Sequence, residues 1–251
     1  MAHFYLDDSL AAQLSQADRE VGAVVHLRGA DARHAATVSR VRPGERLRLG
    51  DGAGLVMLGT VSSADSAEVA LEVEHVERTE RAVPRIHLVQ ALAKGDRDEL
   101  AVQAATELGV DVVVPWQAAR SISRWDAAKA LKGRERWSTI AREASKQSLR
   151  PWLPEIEPVA STKQIVERAS LATVLVLDPL GDVALTTLTA ADLGARDIAL
   201  VVGPEGGIAV EELEALTAAG ARRVRLGSTV LRTSTAGPAA VAVLSAVLGR
   251  W

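Results

Sequence analysis

The sequence predicts a two-domain α/β protein, in which a small β-barrel precedes a mostly parallel sheet flanked by helices. Two observations lead to this fold class. In the first third of the chain, short apolar runs are separated by Gly, Asp and Ser residues, as in strands joined by tight turns. From residue 85 onwards, apolar strands alternate with helical segments, which indicates a buried parallel sheet.

The first domain is predicted over residues 1–78. Its strands are expected at residues 21–27, 45–49, 55–61 and 68–76, with a short helix at residues 31–41 that Asp31 caps. Apolar and acidic residues roughly alternate in the last of these strands, as they do in a half-buried strand. The polar segment 79–84, which ends in proline, is interpreted as the linker.

The second domain is predicted over residues 85–251. Its strands are expected at residues 86–92, 112–114, 173–177, 198–202 and 223–226, and its longer helices at residues 96–108 and 126–147. We expect Pro115 to end the second of these strands. In the last helix, Ser234 or Thr235 is the expected cap, and Pro238 is expected in the first turn.

Composition limits the class of protein. The chain has 48% hydrophobic and 24% charged residues, which fits a soluble globular protein with a core. It has no cysteine, which excludes disulfides, thiolate metal sites and a cysteine nucleophile, and we expect no bound metal. There is no secretory signal pattern, and the longest apolar stretch, residues 239–248, is too short to span a bilayer. A cytoplasmic protein without membrane contact is expected.

Basic residues are concentrated although the formal net charge is −3. Residues 120–150 contain nine basic and three acidic side chains, and a second basic cluster lies within residues 28–48. Such clusters on an acidic protein favour a polyanion bound to one side. A solvated helix face is the alternative that charge alone leaves open.

Three strands of the second domain are followed by unusual loops, at residues 177–181, 203–207 and 226–235. In a parallel sheet these loops meet at the carboxyl edge, where α/β proteins bind ligands. The second loop reads Gly-Pro-Glu-Gly-Gly, so its backbone either lies against a ligand or makes a tight connection.

The acidic residues near this loop restrict the ligand. Glu205 lies within it, and Glu211 and Glu212 open the following helix, where they complement the helix dipole but would repel a triphosphate. The standard glycine-rich nucleotide motifs are also absent from the sequence. A neutral or cationic nucleoside fits better, and S-adenosylmethionine, a sulfonium without phosphate, meets this description.

These loops resemble the RsmE family of ribosomal RNA uridine-N3 methyltransferases, which belong to the SPOUT superfamily. Residues 202–208 are similar to the family's glycine-rich cofactor motif, and residues 226–236 to its second signature, with Ser234 where the family usually has Glu. Residues 94–110 and 143–150 resemble further family stretches, with Ala104 in place of the usual lysine. The N-terminal pattern is similar at His34, Val38, Arg40, Gly44, Asp51 and Gly52, with Ser39 in place of leucine.

The resemblance implies a PUA-like β-barrel followed by an α/β domain with a deep trefoil knot. S-adenosylmethionine would lie bent between the second and third loops of a homodimer. The substrate would be one uridine of small-subunit (16S) ribosomal RNA, either free or in the assembled 30S subunit. Another SPOUT RNA methyltransferase, acting on a ribose 2′-hydroxyl, and a non-catalytic RNA-binding protein remain alternatives.

The resemblance also implies roles for individual residues. Backbone groups of the third loop would hold the adenine, and the second loop and the end of a strand would wall the pocket. The cofactor-binding residues implied are Leu177, Gly203, Pro204, Gly206, Gly207, Leu226, Gly227, Val230, Leu231 and Thr233.

Catalysis at uridine N3 requires loss of its proton, which places negative charge on the flanking carbonyl oxygens. Arg232, beside the cofactor loop, is the candidate cation that stabilises this charge, with a structural capping role as the alternative. Glu205 is the candidate general base, or it braces the loop.

Contact with RNA is assigned to basic residues of both domains. These residues are Arg28, Arg33, His34, Arg40, Arg120, Arg124, Arg142 and Arg150. Trp125, Trp137 and Trp152 lie within or beside the basic stretch, where an indole either stacks on an unpaired base or packs in the core.

Overall fold

The computed structural model describes residues 3–17 and 20–251, which form two compact units. The first unit contains the chain up to residue 81 together with residues 145–153, and the second contains residues 82–144 and 154–251. From the sequence, residues 145–153 are predicted to belong to the second domain. They join the first unit because Trp152 packs against Gly54, and its indole N–H donates a 2.9 Å hydrogen bond to the Thr79 carbonyl oxygen.

The first unit is built on a five-stranded sheet in the order β1-β3-β4-β5-β2. Its elements are β1 (His3–Leu6), α1 (Leu10–Ser15), β2 (Val24–Arg28), α2 (Gly29–Thr37), β3 (Arg46–Gly50), β4 (Leu55–Ala64) and β5 (Glu68–Arg78). Strand β1 runs parallel to β3, and the other pairs are antiparallel. The β-rich first third is therefore confirmed, as a curled half-barrel.

Two register shifts in β4, after Leu58 and after Val61, account for part of the curl, because a bulge bends a strand and increases its twist. At the first shift stands Gly59, where an added Cβ would clash with the carbonyl oxygen of Glu72. Alternate residues of β4 point into a core of aliphatic side chains.

The helix predicted in this unit begins earlier than expected. Arg28 occupies the cap position of α2, and Asp31 lies in the first turn instead of capping it. The Asp31 carboxylate instead forms an ion pair with Lys146, whose ammonium group lies 3.0 Å from it.

The second unit contains a seven-stranded sheet in the order β10-β12-β9-β11-β6-β7-β8, and all of its strand pairs are parallel. The elements are β6 (Ile86–Ala91), α3 (Arg97–Glu107), β7 (Val112–Trp116), α4 (Ala127–Gln147), β8 (Glu155–Ile156), α5 (Thr162–Glu167), β9 (Thr173–Leu177), β10 (Val183–Ala184), α6 (Ala190–Leu193), β11 (Ile198–Val202), α7 (Val210–Ala218), β12 (Arg222–Arg225) and α8 (Thr233–Val247). The predicted parallel sheet is confirmed, and every residue of its central strands β6 and β11 is buried.

Pro115 lies inside β7, so the expectation that it ends this strand is wrong. Its carbonyl oxygen accepts a 2.7 Å hydrogen bond from the Ala160 N–H, whereas the next carbonyl, that of Trp116, accepts from Leu92 of the segment after β6. The N–H that Pro115 lacks would therefore point to the β8 side of the strand, and the short strand β8 ends before this position. The ladder to β6 loses no hydrogen bond, and a proline is tolerated there.

The last helix also begins earlier than predicted. Arg232 is the cap residue of α8, neither Ser234 nor Thr235 caps it, and Pro238 lies in the second turn instead of the first. The start is set by Thr233, whose side chain is buried and donates a hydrogen bond to the carbonyl oxygen of Gly203, the residue after β11. Small residues let α8 pack closely on the sheet, since a Cβ added at Gly237 would lie 2.9 Å from a methyl group of Leu88.

No helix within the described part of the chain is both long enough and apolar enough to cross a membrane.

Candidate active site

A cavity of about 640 Å³ opens in the second unit at the carboxyl ends of β9, β11 and β12. The three strands are neighbours in the sheet, in the order β12, β9, β11, so the loops that follow them are brought together. The volume lies in the range of small-molecule sites, about 300–1,000 Å³. The three unusual loops of the sequence therefore share one cavity.

Most residues predicted to contact a cofactor or to act in catalysis line this cavity. They are Leu177, Gly203, Pro204, Glu205, Gly207, Leu226, Gly227, Val230, Leu231, Arg232 and Thr233. Gly206 is not in the lining. It lies on the outer side of the loop, where its carbonyl oxygen accepts a 3.2 Å hydrogen bond from the guanidinium group of Arg120.

The glycine-rich loop requires glycine at two positions for different reasons. Gly207 has a φ of +72°, a left-handed conformation that other residues rarely adopt. At Gly203 an added Cβ would lie 2.7 Å from Cγ1 of Ile208, so the loop folds back too closely for a side chain. The turn is closed by a 2.9 Å hydrogen bond from the Gly207 N–H to the Pro204 carbonyl oxygen.

A polar connection joins the start of α8 to this loop. The Thr233 hydroxyl donates to the Gly203 carbonyl oxygen at 2.9 Å and accepts from the side-chain amide of Gln90 at 2.8 Å. Gln90 is the fifth residue of β6 and is fully buried, and its Oε1 has no hydrogen-bond partner among the described residues. Gln90 was not among the site residues predicted from the sequence, although an amide in a strand that is otherwise nearly all apolar was a signal.

Glu205 is held at the rim of the cavity by the segment after β6. Its Oε1 accepts hydrogen bonds from the Lys94 N–H at 3.0 Å and from the Arg97 guanidinium at 2.9 Å. Burial alone would raise the pKa of this carboxyl, but the hydrogen bonds from backbone N–H groups and Arg97 outweigh it and hold the pKa below its usual range. Glu205 is therefore negatively charged at neutral pH.

The two other acids expected near the ligand lie elsewhere. Glu211 and Glu212 are not in the cavity lining. Glu212 is buried, and its carboxylate accepts hydrogen bonds from the Ala119 N–H at 2.8 Å and the Thr162 hydroxyl at 2.6 Å. It braces the start of α7 instead of facing a ligand.

Four arginines line the cavity, and three of them are engaged. Arg97 pairs with Glu205, Arg223 pairs with Asp178, and Arg225 donates to the carbonyl oxygens after β9. Arg232 is exposed and has no ion-pair partner among the residues that the structure describes. Among the described residues that line the cavity, it is therefore the arginine that is available to a ligand, whereas the other three shape the walls.

The lining suits a nucleoside-like ligand that carries no phosphate. Leu177, Leu226 and Leu231 supply apolar walls, and the glycine-rich loop exposes backbone donors and acceptors. The carboxylates of Glu205 and Asp178 are both held in ion pairs. No group of three or more His, Cys, Asp or Glu residues that could hold a metal occurs within residues 3–17 and 20–251.

Four of the residues predicted to bind RNA lie around α2 of the first unit. Arg28 is at the end of β2, with its guanidinium 2.7 Å from the Glu68 carboxylate. Arg33 and His34 are exposed on α2, and Arg40 follows this helix with a left-handed φ of +53°.

The other four predicted RNA-binding residues are more dispersed. Arg120 and Arg124 are exposed in the segment after β7, and each donates to a backbone carbonyl oxygen. Arg142, on α4, and Arg150, in the first unit, are half-buried. Of the three tryptophans considered for stacking, Trp137 is buried in the core of the second unit.

Comparison with known proteins shows the family to which the chain belongs. A model of the RNA methyltransferase domain matches residues 79–245, which is more than half of the chain. The chain belongs to this RNA methyltransferase family. A second model, the RNA methyltransferase PUA domain, matches residues 27–74, so the half-barrel of the first unit is PUA-like.

Relatives within the family match nearly the whole chain. The ribosomal RNA small subunit methyltransferase E of Mycobacterium bovis is 44% identical over 92% of this chain and 90% of its own length. The protein of the same name from Bacillus subtilis is 30% identical over 93% of this chain and 94% of its own length. The crystal structure of the Neisseria gonorrhoeae enzyme of this name, bound to S-adenosyl methionine, superimposes with a TM-score of 0.81 at 28% identity, covering 98% of both chains.

Proposed function

We propose that this protein transfers the methyl group of S-adenosylmethionine to N3 of one uridine in small-subunit (16S) ribosomal RNA. The observation that carries the proposal is the cavity shared by the loops after β9, β11 and β12. Two of these loops contain the stretches that resemble the cofactor motifs of the RsmE family. Relatives that match over nine-tenths of the chain are named as small-subunit rRNA methyltransferases, and one was solved with S-adenosyl methionine bound.

The residues of the cavity fit S-adenosylmethionine. Backbone groups at Leu226, Val230 and Leu231 would form hydrogen bonds with the edge of the adenine. Leu177 and Gly203 would form walls of the pocket. Pro204, Gly206, Gly207, Gly227 and Thr233 are proposed to shape the two loops around the cofactor. When bound, S-adenosylmethionine supplies an electrophilic methyl group on a sulfonium.

Arg232 is proposed to act on the uridine. Loss of the N3 proton spreads negative charge over the two carbonyl oxygens that flank N3, and a positioned guanidinium stabilises that charge. Arg232 is suited to this task because Arg97, Arg223 and Arg225 are already bound to protein groups.

Glu205 is proposed to brace the glycine-rich loop. A carboxylate whose pKa is lowered is a weak proton acceptor, since general bases work best with a pKa near the operating pH. Its hydrogen bonds to Lys94 and Arg97 instead fix the loop against the segment after β6.

The architecture and partners proposed follow the family resemblance. We propose a PUA-like domain over residues 1–78, a linker over residues 79–84 and a SPOUT methyltransferase domain over residues 85–251 with a deep trefoil knot. Residues 145–153 of the methyltransferase domain pack with the first unit. The parallel sheet and the PUA family match support this division. A metal-independent homodimer that works in the cytoplasm, on free rRNA or the 30S subunit, completes the proposal.

Mass spectrometry of rRNA nucleosides from cells with and without the gene tests the function. We expect 3-methyluridine in small-subunit rRNA only when the protein is present. Loss of a 2′-O-methylated nucleoside instead would assign a ribose methyltransferase. An unchanged nucleoside profile, together with no S-adenosylmethionine binding by calorimetry, would point to a non-catalytic RNA-binding protein.

A further inference from the structure

A second cavity, of about 490 Å³, lies in the second unit between the segment after β6 and the first turns of α4. We call it the basic groove and define it by Gly95, Arg124, Trp125, Lys129, Lys132 and Arg136. It shares no lining residue with the larger cavity. Arg124 and Trp125 were among the residues considered for RNA contact from the sequence, and none of the groove residues takes part in the proposed methyl transfer.

The groove carries positive charge that the protein only partly neutralises. Arg136 is paired with Glu99, and Lys129 lies 3.8 Å from the Asp126 carboxylate. Lys132 is exposed and has no ion-pair partner among the described residues.

The remaining basic and acidic groups of the groove favour an anion. The guanidinium of Arg124 donates a 2.8 Å hydrogen bond to the Ala119 carbonyl oxygen, a neutral partner that leaves its charge uncompensated. Asp98 does not offset this charge at the surface, because it is buried and its oxygens accept the N–H groups of Ala93 and Glu99.

An aromatic side chain is fixed beside these cations. The indole of Trp125 lies over Gly133 in the second turn of α4, where an added Cβ would lie 2.5 Å from the ring. A glycine inside a helix costs about 1 kcal/mol relative to alanine, so its presence is explained by the space that Trp125 requires. Trp125 is half-buried and meets the buried Trp137 edge-on, with ring centroids 5.3 Å apart.

The groove and the larger cavity are separated by a single segment of chain. Ala93 and Gly95 line the groove, and the neighbouring Lys94 N–H and Arg97 guanidinium hold Glu205 at the rim of the larger cavity. This segment follows β6, which is paired with β11, the strand that leads into the glycine-rich loop. A polymer that places one unit in the larger cavity would therefore have its neighbouring units beside the groove.

We propose that the basic groove binds the single-stranded rRNA nucleotides beside the target uridine. Arg124, Lys129 and Lys132 contact their phosphates, and Trp125 stacks on one base. Cations beside a fixed indole are a combination that suits unpaired RNA, since phosphates give affinity and every base has a face that can stack. The assignment of the flanking nucleotides rests on the proposed function, whereas the binding of single-stranded RNA can be tested without it.

The test uses the full-length protein and a fluorescently labelled single-stranded oligoribonucleotide. The variant Lys129→Ala/Lys132→Ala is compared with Lys163→Ala, which removes an exposed lysine on α5, outside the groove. Fluorescence anisotropy over a range of salt concentrations gives the affinity and its salt dependence. We expect the double variant to bind about tenfold or more weakly, with a salt slope reduced by about one to two, and Lys163→Ala to bind like wild type.

Two further measurements separate the groove from the catalytic proposal. Calorimetry with S-adenosylmethionine should give the same Kd for the double variant as for wild type, and methyl transfer should show a raised KM for small-subunit rRNA at unchanged kcat. An unchanged RNA affinity and salt slope in the double variant would overturn the groove assignment, even if methyl transfer is confirmed. If wild type transfers no methyl group, the proposed function fails, and the anisotropy result still decides whether the groove binds RNA.

Discussion

The hydroxyl of Thr233 donates a hydrogen bond of 2.9 Å to the carbonyl oxygen of Gly203. This contact joins the first residue of α8 to the first residue of the glycine-rich loop, thirty positions earlier in the chain. The amide of Gln90 donates to the same hydroxyl, so three elements meet at one oxygen atom. The proposed cofactor loops are held at a fixed separation by this contact.

Replacement of Thr233 by valine should weaken S-adenosylmethionine binding. Valine keeps the shape of the side chain but leaves the Gly203 carbonyl and the Gln90 amide without their partner, which costs about 1–3 kcal/mol for buried groups. We expect a Kd raised about tenfold by calorimetry, while Thr233→Ser, which retains the hydroxyl, stays near wild type. Equal affinities for Thr233→Val and wild type would show that the contact does not position the loops.

Replacement of Arg232 by alanine should slow methyl transfer more than it weakens cofactor binding. If the guanidinium stabilises charge that develops on the uridine, its loss lowers kcat by about 10²–10³, as loss of a comparable donor does in other enzymes. Single-turnover rates with saturating rRNA and calorimetry with S-adenosylmethionine measure the two effects separately. Arg196→Ala, at an exposed arginine outside the cavity lining, is the control. A normal rate with normal cofactor affinity would contradict the assignment.

The variant Glu205→Gln distinguishes a brace from a general base. Glutamine can still accept the Lys94 N–H but loses the ion pair with Arg97, so we expect a Kd for S-adenosylmethionine raised by a few fold and a kcat within about tenfold of wild type. The dependence of kcat on pH should keep its shape. A kcat reduced by more than about a hundredfold, with the acidic limb of the pH profile lost, would make Glu205 the proton acceptor instead.

Acid should destabilise the second unit through Asp197 and His87, at the amino ends of β11 and β6. Burial raises the pKa of Asp197, but the N–H and guanidinium groups of Arg85 outweigh it, and the pKa lies below its usual value. Burial lowers the pKa of His87 and outweighs the attraction of Asp197. In both cases the unfolded chain binds protons more readily than the folded one, so the free energy of unfolding falls as the pH falls.

The direction of each pKa shift sets the pH range in which that residue changes the free energy of unfolding. Below about pH 6.5 the His87 side chain takes up a proton in the unfolded chain, and this lowers the free energy of unfolding. The Asp197 contribution is complete above about pH 3.9 and is lost as the pH falls through the lower pKa of the folded state.

Urea unfolding as a function of pH tests this behaviour. We expect Asp197→Asn to be less stable than wild type by about 1 kcal/mol at neutral pH, since the carboxylate is partly exposed. The two curves should converge in acid, and Glu135→Gln, which removes an exposed carboxylate, should follow wild type throughout. A stability difference that is independent of pH would contradict the ionic origin of the effect.

Much of the site could be predicted because it depends on local patterns. The order of strands and helices after residue 85 predicts a parallel sheet, and a parallel sheet places the loops at residues 177–181, 203–207 and 226–235 on one edge. The structure brings these loops to one cavity. The glycines of the second loop indicated close approach of the backbone, and Gly203 is in fact packed against Ile208.

Other features depend on partners that are distant in the sequence. The start of α8 at Thr233 is set by the Gly203 carbonyl and the Gln90 amide, neither of which a capping rule takes into account. Pro115 continues a strand because the neighbouring strand β8 ends before reaching it. Trp125 and Gly133 are eight residues apart, and only their contact in the folded chain explains the glycine.

Methyl transfer to uridine N3 can be measured with the purified protein, S-adenosylmethionine and small-subunit rRNA that lacks the modification, presented both free and in 30S subunits. After the reaction, the RNA is digested to nucleosides, which are identified by mass spectrometry. We expect one new 3-methyluridine per RNA molecule, formed by wild type and strongly reduced with Arg232→Ala. A methyl group on a ribose or on another base, or no transfer to either form of the RNA, would contradict the proposed uridine-N3 activity.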